Sequence, residues 1–282
     1  MPTGASTGRT FLVTGANSGI GRTLVEALAA DGGAVVLAAR SAERTTPVLQ
    51  AIRARHPAVD CRFLQVDLSD FASVRRAATE FLASGQRLDV LVNNAGVAGT
   101  KALNPGGYDL TYATNHLGPF LFTNFLLPRL TESPAARIVN VSSAASFSVK
   151  ALDWTWLEPR KVAERNGLGA YAATKLMNIL HAKALARRLE GTRVTTSSLH
   201  PGAVATDIWR ALPGPVQWVI KRFTISEEAG ARTSFYCATA PEVADVSGRY
   251  YDKCAERAPN PLAENVELGE ELWRRSQTAT QN

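Results

Sequence analysis

The chain has 282 residues, 45% of them hydrophobic and 20% charged, the composition of an ordinary globular protein with room for one large domain. Its net charge of +6 comes from basic residues spread along the chain without an aromatic-rich basic run, which argues against nucleic-acid binding. No apolar run approaches the ~20 residues that span a bilayer, so we predict no membrane span.

The N-terminal residues and the cysteines further limit the class of protein that the sequence can encode. Residues 1–8 are polar, and we expect them to form a flexible tail before a single domain over residues 9–282. Three cysteines, Cys61, Cys237 and Cys254, are scattered along the chain in an odd number, without the spacing of metal ligands. We therefore expect no disulfide framework and no metal site, and a reducing, cytoplasmic location.

Short strands rich in valine, isoleucine and leucine alternate with amphipathic helices along the chain. The predicted strands cover residues 10–14, 34–39, 61–66, 89–93, 137–142, 193–199 and 248–252. The predicted helices cover residues 19–31, 41–56, 70–84, 108–131, 168–190 and 226–239. This alternation indicates right-handed crossovers, so we predict an α/β domain with a doubly wound, mostly parallel seven-stranded sheet and helices on both faces.

A glycine-rich turn follows the first predicted strand and leads into the first helix. Glycines here allow a tight turn and let backbone N–H groups approach a pyrophosphate at the helix N-terminus. The sequence therefore predicts a nucleotide site, and its candidate residues are Gly15, Asn17, Ser18, Gly19, Ile20 and Gly21.

The second predicted strand ends in Arg40, where an acidic residue would accept hydrogen bonds from the adenosine ribose of NAD. An arginine suits the additional phosphate of NADP instead, so the residue favours NADP(H) over NAD(H). Arg44, one turn further on, and Arg22 are candidates for the same phosphate, with water-facing arginines at helix starts as the competing interpretation.

Seven motifs in chain order then resemble those of the short-chain dehydrogenase/reductase family over most of residues 9–252. They are TGANSGIG, Asp67-Leu68, Asn93-Asn94-Ala95-Gly96, Asn115 in TNHLGPFLFTN, Val139 to Ser143, Tyr171-Ala-Ala-Thr-Lys175, and His200-Pro201-Gly202 with Thr206. TGANSGIG, Arg40, TNHLGPF and KLMNILHAKALARRL are most similar to the retinol-dehydrogenase-like branch. The resemblance implies a single-domain Rossmann fold and an oxidoreductase.

The resemblance also implies a catalytic set of Asn115, Ser143, Tyr171 and Lys175. Tyr171 would act as the general acid or base, and the cation of Lys175 would lower the pKa of its phenol. Ser143 would bond the carbonyl oxygen, Lys175 the nicotinamide ribose, and Asn115 a water molecule. His200 is interpreted as a strand-end or pocket residue rather than a base.

Further cofactor contacts are implied by the same motifs, beyond the glycine-rich turn, Arg40 and Arg44. They are Asp67, Leu68, Asn94, Ala95, Gly96, Asn115, Tyr171, Lys175, Pro201, Gly202, Val204 and Thr206.

Two segments are candidates for substrate contact. The 27 residues between Ser143 and Tyr171 exceed the spacing in compact family members, which indicates an insertion over about 148–168. Residues 207–223 follow the Pro-Gly motif, where this family usually covers its substrate. We predict substrate contacts from Ser143, Phe147, Trp154 and Trp209, with core packing as the competing interpretation of the aromatic residues.

The favoured function is an NADPH-dependent carbonyl reductase for a bulky lipophilic or aromatic ketone or aldehyde, or for the corresponding alcohol in reverse. An NAD-dependent alcohol dehydrogenase of the same family is the alternative, and Arg40 argues against it. A non-catalytic NADP(H)-binding sensor or scaffold is an alternative of another class, and the presence of Ser143, Tyr171 and Lys175 argues against it.

The family resemblance permits a homodimer or homotetramer through the helices that carry Asn115 and Tyr171.

Overall fold

The computed structural model describes residues 4–160, 167–202 and 225–281. The strands are β1 (Thr10–Thr14), β2 (Ala34–Ala39), β3 (Cys61–Gln65), β4 (Val90–Asn93), β5 (Ala136–Val141), β6 (Val194–His200), β7 (Arg249–Asp252) and β8 (Ala255–Glu256). The α-helices are α1 (Gly19–Ala30), α2 (Ala42–Arg55), α3 (Phe71–Ala83), α4 (Leu110–Tyr112), α5 (Gly118–Thr131), α6 (Gly167–Arg188), α7 (Glu227–Thr239) and α8 (Val266–Thr280). A π-helix (Ala113–Leu117) joins α4 to α5, and short 3-10 turns include Ala144–Ser148 and Trp154–Leu157.

The strands form one sheet in the order β3-β2-β1-β4-β5-β6-β7-β8. All neighbouring strands are parallel except β7 and β8, so the predicted doubly wound parallel sheet is confirmed. The described residues hold eight strands instead of seven, because the two-residue β8 turns back on β7 through Lys253 and Cys254, both with positive φ. The order in which successive strands are added to the sheet reverses between β1 and β4, the place where such folds bind their ligands.

Alternate residues of each central strand face opposite layers of helices, because successive side chains of a strand point to opposite faces. Phe11 and Val13 of β1 belong to the core with α1, α2 and α7, whereas Leu12 belongs to the core with α3, α5, α6 and α8. The strand residues that face the two cores are fully buried and therefore cannot contact a ligand. The carboxyl edge of the sheet, where the strands end in loops, can bind one. In the described part of the chain, every helix is too short or too polar to span a bilayer.

Helix α8 is an element that the sequence-based prediction omitted. Asn265 caps it by accepting a 2.8 Å hydrogen bond from the Leu268 backbone, and Leu272 is 1% exposed. The Trp273 ring lies 4.9 Å from the Phe120 ring of α5, between ring centroids, and α8 also packs on α6. The faces of α5 and α6 considered for assembly are therefore in contact with a helix of the same chain.

Residues 4–8 differ from the expected flexible tail. The Asp31 carboxylate, at the end of α1, accepts hydrogen bonds from the backbone N–H groups of Gly4, at 2.6 Å, and Ser6, at 2.9 Å. Ser6 is fully buried. Because a buried carboxylate needs donors, Asp31 holds this segment against the domain.

Candidate active site

A cavity of about 570 Å³ opens at the carboxyl edge of the sheet. Its volume is within the roughly 300–1,000 Å³ of small-molecule and cofactor sites. Of the residues predicted from the sequence, Gly15, Asn17, Ser18, Gly19, Ile20, Gly21, Arg40, Arg44, Asp67, Leu68, Asn94, Ala95, Gly96, Ser143, Tyr171, Lys175, Pro201 and Gly202 line this cavity. Residues far apart in the chain are thus brought to one concave surface by the parallel strands.

The glycine-rich turn needs glycine at its two ends for different reasons. Gly15 has φ +69°, a left-handed conformation that other residues rarely adopt. Gly21 lies so close to the turn that a Cβ there would be 2.3 Å from the Gly15 carbonyl oxygen. In α1, Ser18 makes no side-chain cap bond and no acidic residue occupies the first turn. The first N–H groups of α1 therefore retain the capacity to bond a pyrophosphate.

Thr14 and Asn94 connect this turn to the loop after β4. Thr14 Oγ1 accepts hydrogen bonds from the backbone N–H groups of Asn94, at 3.0 Å, and Ala95, at 3.1 Å. The Asn94 amide in turn donates to the Thr14 carbonyl at 2.9 Å. The two loops that flank the reversal point of the sheet are therefore held together by side chains.

Arg40 and Asp67 stand at the same wall of the cavity. Arg40 Nη1 is 3.8 Å from Asp67 Oδ2, and the Arg40 side chain is 66% exposed. Asp67 Oδ1 accepts from the Ser69 hydroxyl at 2.6 Å and from its backbone N–H at 2.9 Å. An exposed ion pair of this kind contributes little, so the Arg40 guanidinium can still bind an anion.

Arg22 is not a residue of the cavity lining in the described part of the chain. Its guanidinium forms a 3.0 Å ion pair with Glu227 at the start of α7. Arg44 does line the cavity, and its backbone N–H donates to the N-cap Ser41. Of the three candidate arginines, Arg40 and Arg44 therefore reach the cavity.

Asn115 lies in the π-helix and is fully buried. Its Oδ1 accepts from the Val97 backbone at 2.8 Å, and its Nδ2 donates to the Val97 carbonyl and to Thr174 Oγ1. A Cβ on Gly96 would lie 3.4 Å from both Asn115 Oδ1 and Lys175 Nζ. The π-turn, a feature frequent at functional sites, thus places the Asn115 amide against the loop after β4 and against α6.

The two serines after β5 have different partners. Ser142 is buried, and its hydroxyl donates to the Lys175 carbonyl at 2.6 Å, which ties the strand to α6. The Ser143 hydroxyl accepts from the Ala145 backbone at 3.2 Å and is hydrogen-bonded to the Tyr171 phenol. The second serine is therefore the one whose hydroxyl meets the tyrosine.

Tyr171 and Lys175 are both buried, at 6% and 2% exposure. Lys175 Nζ donates to the Val141 carbonyl at 2.9 Å and lies 5.5 Å from the centroid of the Tyr171 ring. The spacing of four residues places both side chains on one face of α6, at the end of β5. Ser143, Tyr171 and Lys175 thus form one polar cluster at the carboxyl end of β5.

Burial moves the pKa values of this cluster in opposite directions. It raises the pKa of Tyr171 to about 12, while the hydrogen bond with Ser143 acts to lower it. It lowers the pKa of Lys175 to about 8. The expected decrease of the Tyr171 pKa is therefore not produced by the side chains of this chain, because desolvation disfavours the phenolate more than the cluster stabilises it.

Two predicted substrate residues do not line the cavity formed by the described residues. The Phe147 ring packs on Tyr250, with centroids 6.2 Å apart, and the Arg257 guanidinium lies over it. The Arg275 guanidinium lies over the Trp154 ring, which also packs against the core that includes α8. Core packing, the competing interpretation, describes both rings.

The remaining predicted residues Val204, Thr206 and Trp209 lie outside the described residues, as does the segment 207–223. Of the insertion at 148–168, the described part covers 148–160 and 167–168.

Several cavity residues were not singled out from the sequence. They include Ser69, Val97, Ala98, Thr100, Leu110, Thr114, Ala144 and Ala145. Thr114 belongs to the TNHLGPF motif, and Ser69, Val97, Ala98, Ala144 and Ala145 closely follow motif residues, which is the available signal. His200, considered a strand-end or pocket residue, also lines the cavity, and its Nδ1 accepts from the Ala144 backbone at 3.2 Å.

The fold and the site together define a class of proteins, the dinucleotide-binding α/β oxidoreductases. The profile of the family described as "short chain dehydrogenase" matches residues 9–154. Dehydrogenase/reductase SDR family member 13 of Bos taurus is 41% identical, and the match covers 95% of this chain and 72% of that protein. Retinol dehydrogenase 13 of Homo sapiens is 36% identical, with 95% of this chain and 83% of that protein covered.

A solved structure agrees with this assignment. A short chain dehydrogenase from Burkholderia cenocepacia in complex with NADP has a TM-score of 0.69 and 28% identity, covering 88% of this chain and 97% of that one. The chain belongs to the short-chain dehydrogenase/reductase family, with relatives among the retinol dehydrogenases. The resemblance identified from seven motifs is thereby confirmed.

Proposed function

We propose that the protein is an NADP(H)-dependent carbonyl reductase, which reduces a bulky lipophilic or aromatic ketone or aldehyde or oxidises the corresponding alcohol. The observation that carries the proposal is the Tyr171 phenol, hydrogen-bonded to Ser143 and next to the Lys175 ammonium, in one cavity with the glycine-rich turn. The cavity lining fits a dinucleotide, because the Ser18 side chain does not cap the first N–H groups of α1 and Gly21 permits the close packing of the turn that presents them.

The chemistry divides between the cofactor and the side chains. The bound nicotinamide supplies or accepts the hydride. The Ser143 hydroxyl donates a hydrogen bond to the carbonyl oxygen, where negative charge develops during reduction. Tyr171 delivers its phenolic proton to that oxygen. The Lys175 ammonium stabilises the phenolate that remains, because opposite charges attract strongly in a buried site.

The pKa values agree with the acid role proposed for Tyr171 when the enzyme works in the reductive direction. The pKa of Tyr171 is raised to about 12, so the phenol is in its acid form at neutral pH. The pKa of Lys175 is about 8, so its amine is mostly an ammonium at the same pH. Both groups therefore start from the protonation state that proton donation to a carbonyl oxygen requires.

Three further features support the proposed cofactor and substrate class. Arg40 and Arg44 give the adenosine end of the cavity positive charge. Apolar residues Val97, Ala98, Leu110, Ala144 and Ala145 line other parts of it. The relative Retinol dehydrogenase 13 is named for a bulky lipophilic alcohol.

The test is NADPH oxidation, followed by absorbance, with a panel of bulky ketones and aldehydes and with NADH in parallel. We expect turnover with NADPH, and we expect Tyr171→Phe to abolish it while NADPH binding persists. Binding of NADPH without turnover across the panel would instead favour the sensor or scaffold. A preference for NADH would favour the NAD-dependent alcohol dehydrogenase.

Location and assembly are also proposals. A cytoplasmic location is supported by Cys61, Cys237 and Cys254, which are free thiols. Because α8 packs on both α5 and α6, a homodimer or homotetramer through these helices would use the parts that α8 leaves uncovered or would include α8 itself.

A further inference from the structure

The pairing of β5 with β6 ends in an unusual hydrogen bond. The Ser142 backbone N–H donates to the Leu199 carbonyl at 2.8 Å, as expected for a parallel ladder. The next N–H on that edge belongs to Ala144, and its regular acceptor would be the carbonyl two residues beyond Leu199. Ala144 instead donates to His200 Nδ1 at 3.2 Å.

The local backbone explains why a side chain replaces the ladder carbonyl. β6 ends at His200, and the chain turns away through Pro201 and Gly202, whose φ is +94°. The two strands therefore separate at the point where the cavity begins. The His200 imidazole reaches across the space between the two strand ends and joins them at the cavity.

This hydrogen bond determines the protonation state of His200. A backbone N–H can only donate, so Nδ1 must be unprotonated and the proton of the neutral ring is on Nε2. Protonation of Nδ1 would place two donors against each other and break the contact. The bridge between Ala144 and His200 thus exists only while the imidazole is neutral.

Ala144 directly follows Ser143, whose hydroxyl accepts from the Ala145 backbone and meets the Tyr171 phenol. We infer that His200 is a positioning residue: its neutral imidazole holds the backbone after Ser143 and so directs the Ser143 hydroxyl toward the carbonyl oxygen. The inference rests on the proposed function, because it assigns His200 a role in that same reaction.

The charged groups around His200 in the described residues come from the end of β7, the following turn and the residue after β8. Asp252 is opposite His200 in the β6–β7 register and raises the pKa of His200, but its carboxylate is bonded to Arg257 at 2.7 Å. Burial lowers the His200 pKa most, and Arg257 and Lys253 lower it further. The net direction is downward, so the imidazole is neutral at neutral pH.

Two substitutions separate positioning from mere packing. His200→Asn keeps an acceptor at the δ position that does not titrate, whereas His200→Leu keeps bulk and loses the acceptor. We expect His200→Leu to lower kcat for carbonyl reduction roughly tenfold, with KM for NADPH within about threefold of the wild type. We expect His200→Asn to stay within about threefold of the wild-type kcat, with thermal unfolding midpoints measured for both variants.

The pH profile provides a second readout. The wild-type kcat should decline at acid pH, starting below the ordinary imidazole pKa of about 6.5 because burial lowers the pKa of His200, and His200→Asn should lack this decline. A wild-type kcat in His200→Leu, or an acid decline retained in His200→Asn, would overturn the inference.

A third readout does not depend on turnover. Nitrogen NMR of protein labelled at histidine, with His200 assigned by comparison with His200→Asn, should show an unprotonated Nδ1 at neutral pH. A protonated Nδ1 would contradict the bridge whether or not the protein reduces carbonyls. An unprotonated Nδ1 in a protein without turnover would reject the proposed function, and with it the positioning role of His200 in that reaction.

Discussion

The Lys175 ammonium lies 5.5 Å from the centroid of the Tyr171 ring, and both side chains are almost completely buried. Burial raises the pKa of the phenol to about 12 and lowers the pKa of the amine to about 8. Each group is therefore displaced toward its neutral form, and a protein under selection for stability alone would not bury them together. The cost of burying this pair is consistent with the proposed catalytic role.

Tyr171→Phe should lower kcat by roughly 10²–10⁴-fold, because it removes the proton donor and keeps the ring. NADPH binding, measured by fluorescence, should remain. Tyr250→Phe is the matched control: its hydroxyl is buried without a hydrogen-bond partner among the described residues, and its ring is outside the described cavity lining. Wild-type turnover in Tyr171→Phe would exclude the mechanism.

Lys175→Met should reduce turnover strongly and also stabilise the protein. Folding lowers the pKa of Lys175 to about 8. Between pH 8 and the pKa of this lysine in the unfolded chain, the unfolded state therefore binds more protons than the folded state. The cost of burying Lys175 is fully present below pH 8 and decreases as the pH rises. We expect the free energy of unfolding at pH 7 to rise by about 1–3 kcal/mol in the variant, after loss of the bond to Val141 is subtracted.

Urea denaturation at pH 7 and at pH 9 measures this gain, which should be smaller at pH 9. Lys183→Met is the control on the same helix, where the lysine forms a surface ion pair with Glu264. Turnover should be retained in the control. Equal activity losses in the two variants would argue against a specific role for Lys175.

Arg40→Ala should raise KM for NADPH by about 10–100-fold and change KM for NADH little, since a charge-assisted bond to the extra phosphate is lost. Arg22→Ala is the control, because Arg22 is paired with Glu227 away from the cavity. Steady-state kinetics with both cofactors give the ratio directly. An unchanged ratio in Arg40→Ala would mean that Arg40 does not select the cofactor.

The stability of the fold should decrease at acid pH because of two buried histidines. Burial lowers the pKa of His116 to about 3 and that of His181 well below its ordinary value. The folded state holds both rings neutral, so this stability is complete above the unfolded pKa and declines as pH falls below about 6.5. His116 alone should account for about 3 kcal/mol between pH 6.5 and pH 4.

Urea denaturation of the wild type and of His116→Asn over this pH range checks the prediction. The decline should be smaller in the variant, which cannot be protonated. His56→Asn, which replaces a histidine at the C-terminal cap of α2, is the control. Parallel pH curves for the wild type and His116→Asn would show that other groups dominate.

Helix α8 should behave as an integral part of the domain. Leu272→Ala should lower the free energy of unfolding by about 2–4 kcal/mol, because Leu272 is buried between α8 and the domain. Val266→Ala, at an exposed position of the same helix, should remain within about 0.5 kcal/mol of the wild type. Similar small effects of both substitutions would indicate that α8 packs weakly.

Much of the fold follows from local patterns. The strand and helix periods predict the α/β alternation, and the glycine-rich turn needs Gly15 because of its positive φ, a property of one residue. Helix α8 was omitted although its N-cap residue Asn265 and the apolar pair Leu268 and Leu272, four residues apart, are local signals of a helix. Its stability comes from docking on α5 and α6, which no local pattern reports.

The aromatic residues in and next to the insertion show the same limit. Phe147 and Trp154 are equally good candidates for a substrate wall or for core packing, since both uses require a large apolar ring. The structure packs Phe147 on Tyr250 and Trp154 under Arg275, partners more than a hundred residues away in the chain. Such distant contacts depend on the folded chain as a whole.

By itself, the sequence determined the class of protein, the order of its motifs and the residue types available for chemistry, because backbone preference and functional groups belong to individual residues. Only the tertiary structure decided how those groups are tuned. It buried Tyr171 and Lys175 together and moved their pKa values in opposite directions. It also brought His200 to the backbone after Ser143. Desolvation and contact are properties of the packed molecule, and therefore they appear only after folding.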